Sequence, residues 1–160
     1  MSVYSLIIPI YNEEENLQNL YTRLTNAAPS WKEDYEIVLI DDGSRDSSLT
    51  MMRVMAEKDS HVRVIKLSRN FGHQPAISAG IQEAKGDAII IMDGDLQDPP
   101  ETIPSLLREI EKGFEQVTVK IGKRSQVPIT RRLLSSIFYN LNFWASDGLI
   151  PKNVSDFRIM

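Results

Sequence analysis

The sequence predicts an α/β domain built on a mostly parallel sheet. Two observations carry that expectation. Short apolar runs rich in β-branched residues recur along the chain, and stretches of helical periodicity fall between them. Parallel strands need a crossover of a dozen or more residues, so strand–helix–strand alternation reads as βαβ units. Such a sheet is covered on both faces, which is why its strands read as nearly continuous apolar runs.

The elements follow in order. Residues 4–10, 37–40, 62–67 and 88–92 are the four expected strands. Residues 14–27, 47–57 and 75–84 are the helices between them. Asn12 with Glu15 three residues on has the spacing of a capping box, and Pro75 suits the first position of a helix. Asp98-Pro99-Pro100-Glu101 offers an N-cap, a proline at N1 and a glutamate at N3, so a helix over residues 101–112 should follow. Beyond Gly113, Val117, Val119 and Ile121 alternate with polar residues, as in a strand with one polar face. Residues 130–146 place Leu134, Ile137, Phe138, Leu141 and Ala145 on one helical stripe, with Phe143 nearly opposite. That pattern suits a core helix; a membrane-surface helix is the alternative.

Composition bounds the function. The 160 residues suffice for one domain with a real core. With no cysteine, disulfide scaffolds, thiolate metal sites and cysteine nucleophiles are excluded. No apolar run approaches the length of a membrane span, and the first residues lack the features of a signal peptide, so the cytoplasm is the default expectation. The net charge of −4 is uneven: residues 1–115 carry 11 Lys/Arg against 20 Asp/Glu, and residues 116–160 carry 7 against 2. A mostly acidic chain argues against nucleic acid as a partner, whereas the basic C-terminal segment suits an anionic ligand or a membrane surface.

The chemistry is expected at one edge. In open α/β sheets, ligands bind beyond the carboxyl ends of the strands. There the first strand runs into Tyr11-Asn12-Glu13, the second into Asp41-Asp42-Gly43-Ser44 and the fourth into Asp93-Gly94-Asp95. Converging carboxylates repel one another unless a cation joins them. Oxygen donors of this kind suit Mg2+ or Mn2+, and the cation in turn suits a diphosphate. Small Gly94 lets the backbone approach closely. Asp98 and Asp46 read as helix caps rather than ligands. No P-loop, no G-x-G-x-x-G turn and no G-x-S-x-G elbow is present. His61 and His73 have no second histidine at metal spacing, so neither makes a zinc site, and His73 reads as structural.

Four motifs stand in fixed order: Ile8-Pro9-Ile10-Tyr11-Asn12-Glu13-Glu14, Asp41-Asp42-Gly43-Ser44-Arg45-Asp46, Ser68-Arg69-Asn70-Phe71-Gly72-His73-Gln74, and Met92-Asp93-Gly94-Asp95-Leu96-Gln97-Asp98-Pro99-Pro100-Glu101. Together with the closing Ser155-Asp156-Phe157-Arg158-Ile159-Met160, they resemble glycosyltransferase family 2 over nearly the whole chain. The resemblance is strongest to its polyprenyl-phosphate branch of bactoprenol glucosyltransferases and dolichol-phosphate mannose synthases. It implies a GT-A fold, a Rossmann-like sheet flanked by helices, and inverting transfer from a nucleotide sugar to a lipid phosphate. By the same resemblance, Pro9, Tyr11, Glu13, Ile40, Asp42, Asp93, Gly94 and Arg124 would form the nucleotide site. Asp93 and Asp95 would hold Mg2+ or Mn2+, with Gln97 as a third ligand, and Asp95 and Asp156 would count as catalytic. An acceptor phosphate is already ionised near neutral pH and hardly needs a base, so Asp156 suits orienting the sugar or steadying positive charge.

The implied organisation is one GT-A domain over residues 1–160, with 1–115 binding the nucleotide sugar and 116–160 beginning the acceptor side. The membrane region with which this branch usually continues is absent from the 160 residues. Glucose on UDP is the expected donor; mannose on GDP and modified arabinose on UDP stay open, as does a homo-oligomer. The full-length protein would work at the cytoplasmic face of the inner or plasma membrane, this segment alone being soluble. Two other readings compete. One is a nucleotide-binding but inert fragment. The other is a receiver-like signalling domain, which would want its acidic pair after the first strand rather than the second.

Overall fold

The computed structural model describes residues 3–31, 34–120 and 154–160. The chain divides into two compact units, residues 1–117 with 157–160, and residues 118–156. Six strands form one sheet in the order β3-β2-β1-β4-β6-β5: β1 (Val3–Ile10), β2 (Asp34–Asp41), β3 (Val62–Lys66), β4 (Ala88–Ile91), β5 (Val117–Lys120) and β6 (Val154–Ile159). The helices are α1 (Glu14–Ala27), α2 (Ser48–Lys58), α3 (His73–Glu83) and α4 (Ile103–Ile110).

The expected parallel sheet is present. β1 pairs with β2 and β4, and β2 with β3, all parallel. β1 is central and carries a continuous apolar run: Leu6, Ile7, Ile8 and Ile10 are fully buried. Alternate residues serve opposite faces. Ile7, Val38, Ile40 and Ile91 pack with Ala76 and Ile77 of α3. Ile37 and Leu39 meet Leu17, Leu20 and Leu24 of α1 and Met55 of α2. The closing motif forms β6, which pairs antiparallel with β4 through Ile90↔Ile159 and Ile91↔Arg158 and buries Phe157 and Ile159 completely.

Several boundaries differ from expectation. Helix α1 starts at Glu14, and its N-cap residue is Glu13, whose side chain makes no capping bond, so the Asn12–Glu15 box does not form. Asn12 has φ +55°, and its side-chain oxygen is taken by the N–H of Arg45, 33 residues away, at 2.8 Å. Helix α3 starts at His73, which makes Pro75 its third residue. Proline is tolerated there because the first-turn N–H groups have no intrahelical acceptor. The predicted helix over residues 101–112 is a 3₁₀ turn (Pro100–Thr102) followed by the shorter α4. The expected helix over residues 130–146 lies outside the described residues.

Candidate active site

Parallel pairing brings the carboxyl ends of β1, β2 and β4 to one edge. A cavity of about 300 Å³ opens there, lined by Pro9, Ile10, Tyr11, Glu13, Asp42, Asn70, Gly72, His73, Asp93, Gly94 and Asp95. Tyr11 stands 41% exposed at this edge.

The loops after β1 and β2 are stitched together. The N–H groups of Asn12, Glu13 and Glu14 donate to Ser44 Oγ, Ser48 Oγ and Asp46 Oδ2, at 3.1, 2.9 and 3.2 Å. In return, Ser47 N–H donates to Glu14 Oε2 at 2.8 Å. Asp46 also accepts the N–H of Ser48, the first residue of α2, at 3.0 Å, as expected of a cap. It therefore serves the starts of two helices, where negative charge is favoured. Burial pushes the Asp46 carboxyl upward, but hydrogen bonds from Ser48 and the main chain outweigh this and hold it below its ordinary value.

The loop after β3 docks on the loop after β2. Asp42 Oδ1 and Oδ2 accept the N–H groups of Phe71 and Gly72 at 2.7 and 2.9 Å. Gly43 makes the approach possible. Its φ is +73°, and a Cβ there would stand 2.6 Å from Arg69 C and from Asn70 N. The docked loop delivers His73, whose Nε2 lies 3.4 Å from Asp93 Oδ1.

On the other side, Gly94 fits against β1: a Cβ would stand 2.6 Å from Ile10 Cδ1. Leu96 has φ +64°, uncommon for a branched residue, and turns the chain back on Asp95. Both Asp95 oxygens then accept from Gln97, Oδ1 from its N–H at 3.0 Å and Oδ2 from its side-chain Nε2 at 2.6 Å. Asp98 is buried and accepts the N–H of Asp93 at 3.4 Å.

Of the residues singled out from sequence, Pro9, Tyr11, Glu13, Asp42, Asp93, Gly94 and Asp95 line this one cavity. Ile40 is fully buried in the sheet core. Gln97 lies beside Asp95, outside the lining. Arg124 and the side chain of Asp156 fall outside the described residues. Sequence reasoning missed Ile10, Asn70 and Gly72 as lining residues and gave His73 a structural role. For Asn70, Gly72 and His73 the signal was the third motif, whose residues were quoted without an assigned task; Ile10 stands in the first motif between two residues that were assigned.

Asp93 and Asp95 are hard oxygen donors flanking one small residue, which suits a hard divalent cation. No group of three or more His, Asp or Glu side chains at metal-binding distance occurs among the described residues. Two carboxylates suit a cation that keeps water and takes substrate phosphates as its remaining ligands, rather than one held in an all-protein cage.

A family model for glycosyl transferase family 2 matches residues 5–158. An undecaprenyl-phosphate 4-deoxy-4-formamido-L-arabinose transferase of Pseudomonas fluorescens (strain Pf0-1) is 45% identical over 157 residues, covering 98% of this chain and 45% of its own. A prophage bactoprenol glucosyl transferase homolog of Escherichia coli (strain K12) is 38% identical over 156 residues, covering 98% and 51%. The chain thus spans about half the length of the curated relatives it matches. Among solved structures, the mannosyltransferase PcManGT from Pyrobaculum calidifontis, in complex with GDP-Man and Mn2+, superposes with a TM-score of 0.60 at 20% identity over 88% of this chain and 38% of that one. The fold is GT-A, a mostly parallel six-stranded sheet with helices.

Proposed function

The chain belongs to glycosyl transferase family 2, and on that premise we propose that it is the donor-binding part of an inverting enzyme that moves a sugar from a nucleotide sugar to a polyprenyl phosphate. The observation that carries the proposal is the cavity at the strand ends, where Glu13, Asp42, Asp93 and Asp95 meet beside Tyr11 and Pro9. Relatives named for transfer to bactoprenol or undecaprenyl phosphate support the lipid acceptor. The donor is a UDP-sugar carrying glucose. Formamido-arabinose is the competing sugar, given the 45% identity to a transferase of that name.

In this reading Pro9, Tyr11, Glu13, Ile40, Asp42, Asp93, Gly94 and Arg124 belong to the nucleotide site, Ile40 as part of the core beneath it. Asp93 and Asp95 hold Mg2+ or Mn2+. Gln97 serves the cation through Asp95, whose two oxygens it holds. Bound there, the cation supplies neutralisation of charge on the departing diphosphate. Arg124 adds a second positive charge to the diphosphate. An acceptor phosphate oxygen bonds to the anomeric carbon as the bond to the nucleoside diphosphate breaks, with inversion. Asp156 orients the sugar or steadies positive charge at the anomeric carbon. Residues 1–115 form the donor part and residues 116–160 begin the acceptor part. The whole protein acts at the cytoplasmic face of a membrane. No helix among the described residues is long and apolar enough to cross one.

Calorimetric titration of this chain with UDP and with GDP, each with and without Mn2+, tests the proposal. Metal-dependent binding of UDP in preference to GDP is the expected result. Preference for GDP would overturn the donor assignment, and binding of neither would overturn the donor site itself.

A further inference from the structure

We propose that Asn12 is a positioning residue: its left-handed backbone and its bond to Arg45 together hold Tyr11 and Glu13 on the wall of the cavity, at the end that takes the nucleoside. The inference rests on the reading of the cavity as a nucleotide site. It deepens that reading with a residue that does not itself line the wall.

β1 ends at Ile10 and α1 starts at Glu14, so Tyr11, Asn12 and Glu13 make the whole connection. The outer two line the cavity and the middle one does not. Asn12 is exposed and has φ +55°. Most side chains are strained in that region, and asparagine and aspartate are the non-glycine residues that enter it most readily. An extended residue here would carry the chain onward along β1. The left-handed one turns it into α1 while Tyr11 and Glu13 both stay on the wall.

The loop after β2 grips that turn at two points. Ser44 Oγ accepts the Asn12 N–H at 3.1 Å, and Asn12 Oδ1 accepts the Arg45 N–H at 2.8 Å. The gripping loop follows directly on Asp42, which is 3% exposed and also lines the cavity. Asn12 thereby sets Tyr11 and Glu13 in register with Asp42.

The sheet order says which part of the ligand this register serves. β2 and β4 flank β1 on opposite sides. The cavity therefore runs from Asp42 at the end of β2, past Tyr11 and Glu13, to Asp93 and Asp95 at the end of β4. With the cation and the diphosphate at the β4 end, the β1–β2 end is left for the nucleoside. A fault at Asn12 should weaken the hold on the nucleoside and leave the hold on the cation intact.

Calorimetry separates these two. UDP is titrated at saturating Mn2+, and Mn2+ is titrated at saturating UDP, for the unaltered chain and for Asn12→Ala, Asn12→Gly and Asn12→Asp. Asn12→Ala loses both the tolerance of φ +55° and the acceptor for Arg45, and is expected to weaken UDP about tenfold. The Mn2+ concentration that half-saturates the UDP-bound chain should not change. Asn12→Gly accepts the backbone angle without strain but lacks the acceptor, and should weaken UDP about threefold. Asn12→Asp keeps both features and should bind UDP within about twofold of the unaltered chain. Should Asn12→Ala fail to fold, Asn12→Gly carries the same pair of titrations. Unchanged UDP affinity in the alanine and glycine variants would overturn the inference. So would a loss in Asn12→Asp as large as in Asn12→Ala, or a Mn2+ requirement that rises along with the loss of UDP, which marks a general loosening of the site. Failure of the nucleotide-site reading looks different, because the unaltered chain then binds no UDP; that result removes the inference as well.

Discussion

Ser48, fully buried at the start of α2, accepts the main-chain N–H of Glu13 at 2.9 Å across a sequence separation of 35 residues. The bond matters because Glu13 precedes the first turn of α1 and has no side-chain cap from its own helix. One hydroxyl thus satisfies an otherwise orphaned donor and joins the loops that follow β1 and β2. Both loops contribute residues to the cavity wall.

Removal of that hydroxyl should therefore register in stability and in the site together. Ser48→Ala leaves the Glu13 N–H without its acceptor, which costs about 1–3 kcal/mol. A urea titration should show a lower midpoint with an unchanged slope, since the exposed surface of the unfolded chain is the same. An unaltered midpoint would mean that the latch contributes nothing to the fold.

Gly43 should tolerate no side chain. Its φ of +73° disfavours any L-residue, and the nearest main-chain atoms of Arg69 and Asn70 leave no space for a Cβ. Gly43→Ala must either unfold the turn or push away the loop that carries His73. Backbone strain of this kind costs about 1–3 kcal/mol before the clash is counted. Thermal unfolding followed by circular dichroism checks the stability. UDP titration of the folded variant checks whether the displaced loop matters to binding.

Acid should destabilise the protein through a group far from the cavity. Glu36, with 8% exposure, accepts from Ser5 Oγ at 2.6 Å, Lys85 N–H at 2.7 Å and Arg63 Nη1 at 2.7 Å. Burial pushes its carboxyl up, but these hydrogen bonds and the charge of Arg63 together hold it below its ordinary value of 4.5. Its folded value lies under its unfolded one. The contribution is therefore complete above about pH 4.5 and is lost as pH falls through the folded value. Unfolding temperatures measured from pH 7 to pH 3 should drop below that point. Glu36→Gln should be less stable at pH 7 by about 2 kcal/mol, because the charge-assisted hydrogen bond from Arg63 is lost while its contacts with Glu83 remain, and should show a shallower acid slope.

Much of this architecture was legible in the residues. The β-branched runs at residues 4–10, 37–40, 62–67 and 88–92 announce buried parallel strands because a sheet covered on both faces needs apolar residues on both. The carboxylates at Asp42, Asp93 and Asp95 were legible as a group for a topological reason: parallel strands put their carboxyl ends on one edge. What stayed hidden was every contact between distant loops. Asn12 has the local signature of a cap, yet its side chain serves Arg45, and no pattern within either loop reports the other. His73 read as structural because its partner Asp93 is remote in sequence and meets it only after the third loop docks on Asp42. The antiparallel return of β6 was likewise hidden, since pairing with β4 leaves no periodic trace within six residues.

Gln97 offers the sharpest separation between a ligand and its support. As a third ligand it would turn its amide oxygen to the cation. In the structure its Nε2 instead donates to Asp95 Oδ2, while its N–H donates to Oδ1. The main-chain bond survives any substitution at this position except proline, so Gln97→Ala removes the 2.6 Å side-chain contact with Asp95 and leaves the 3.0 Å main-chain bond in place. A support of this kind typically changes metal affinity about tenfold or more. The expected outcome is a loss of about that size in the Mn2+-dependent binding of UDP, with the unfolding midpoint unchanged because Gln97 is exposed. Gln97→Glu separates the two roles. A carboxylate is a better ligand than an amide oxygen and would strengthen cation binding if residue 97 coordinates directly. As support for Asp95, the same change replaces a donor with a like charge beside Oδ2 and should weaken binding at least as much as the alanine does.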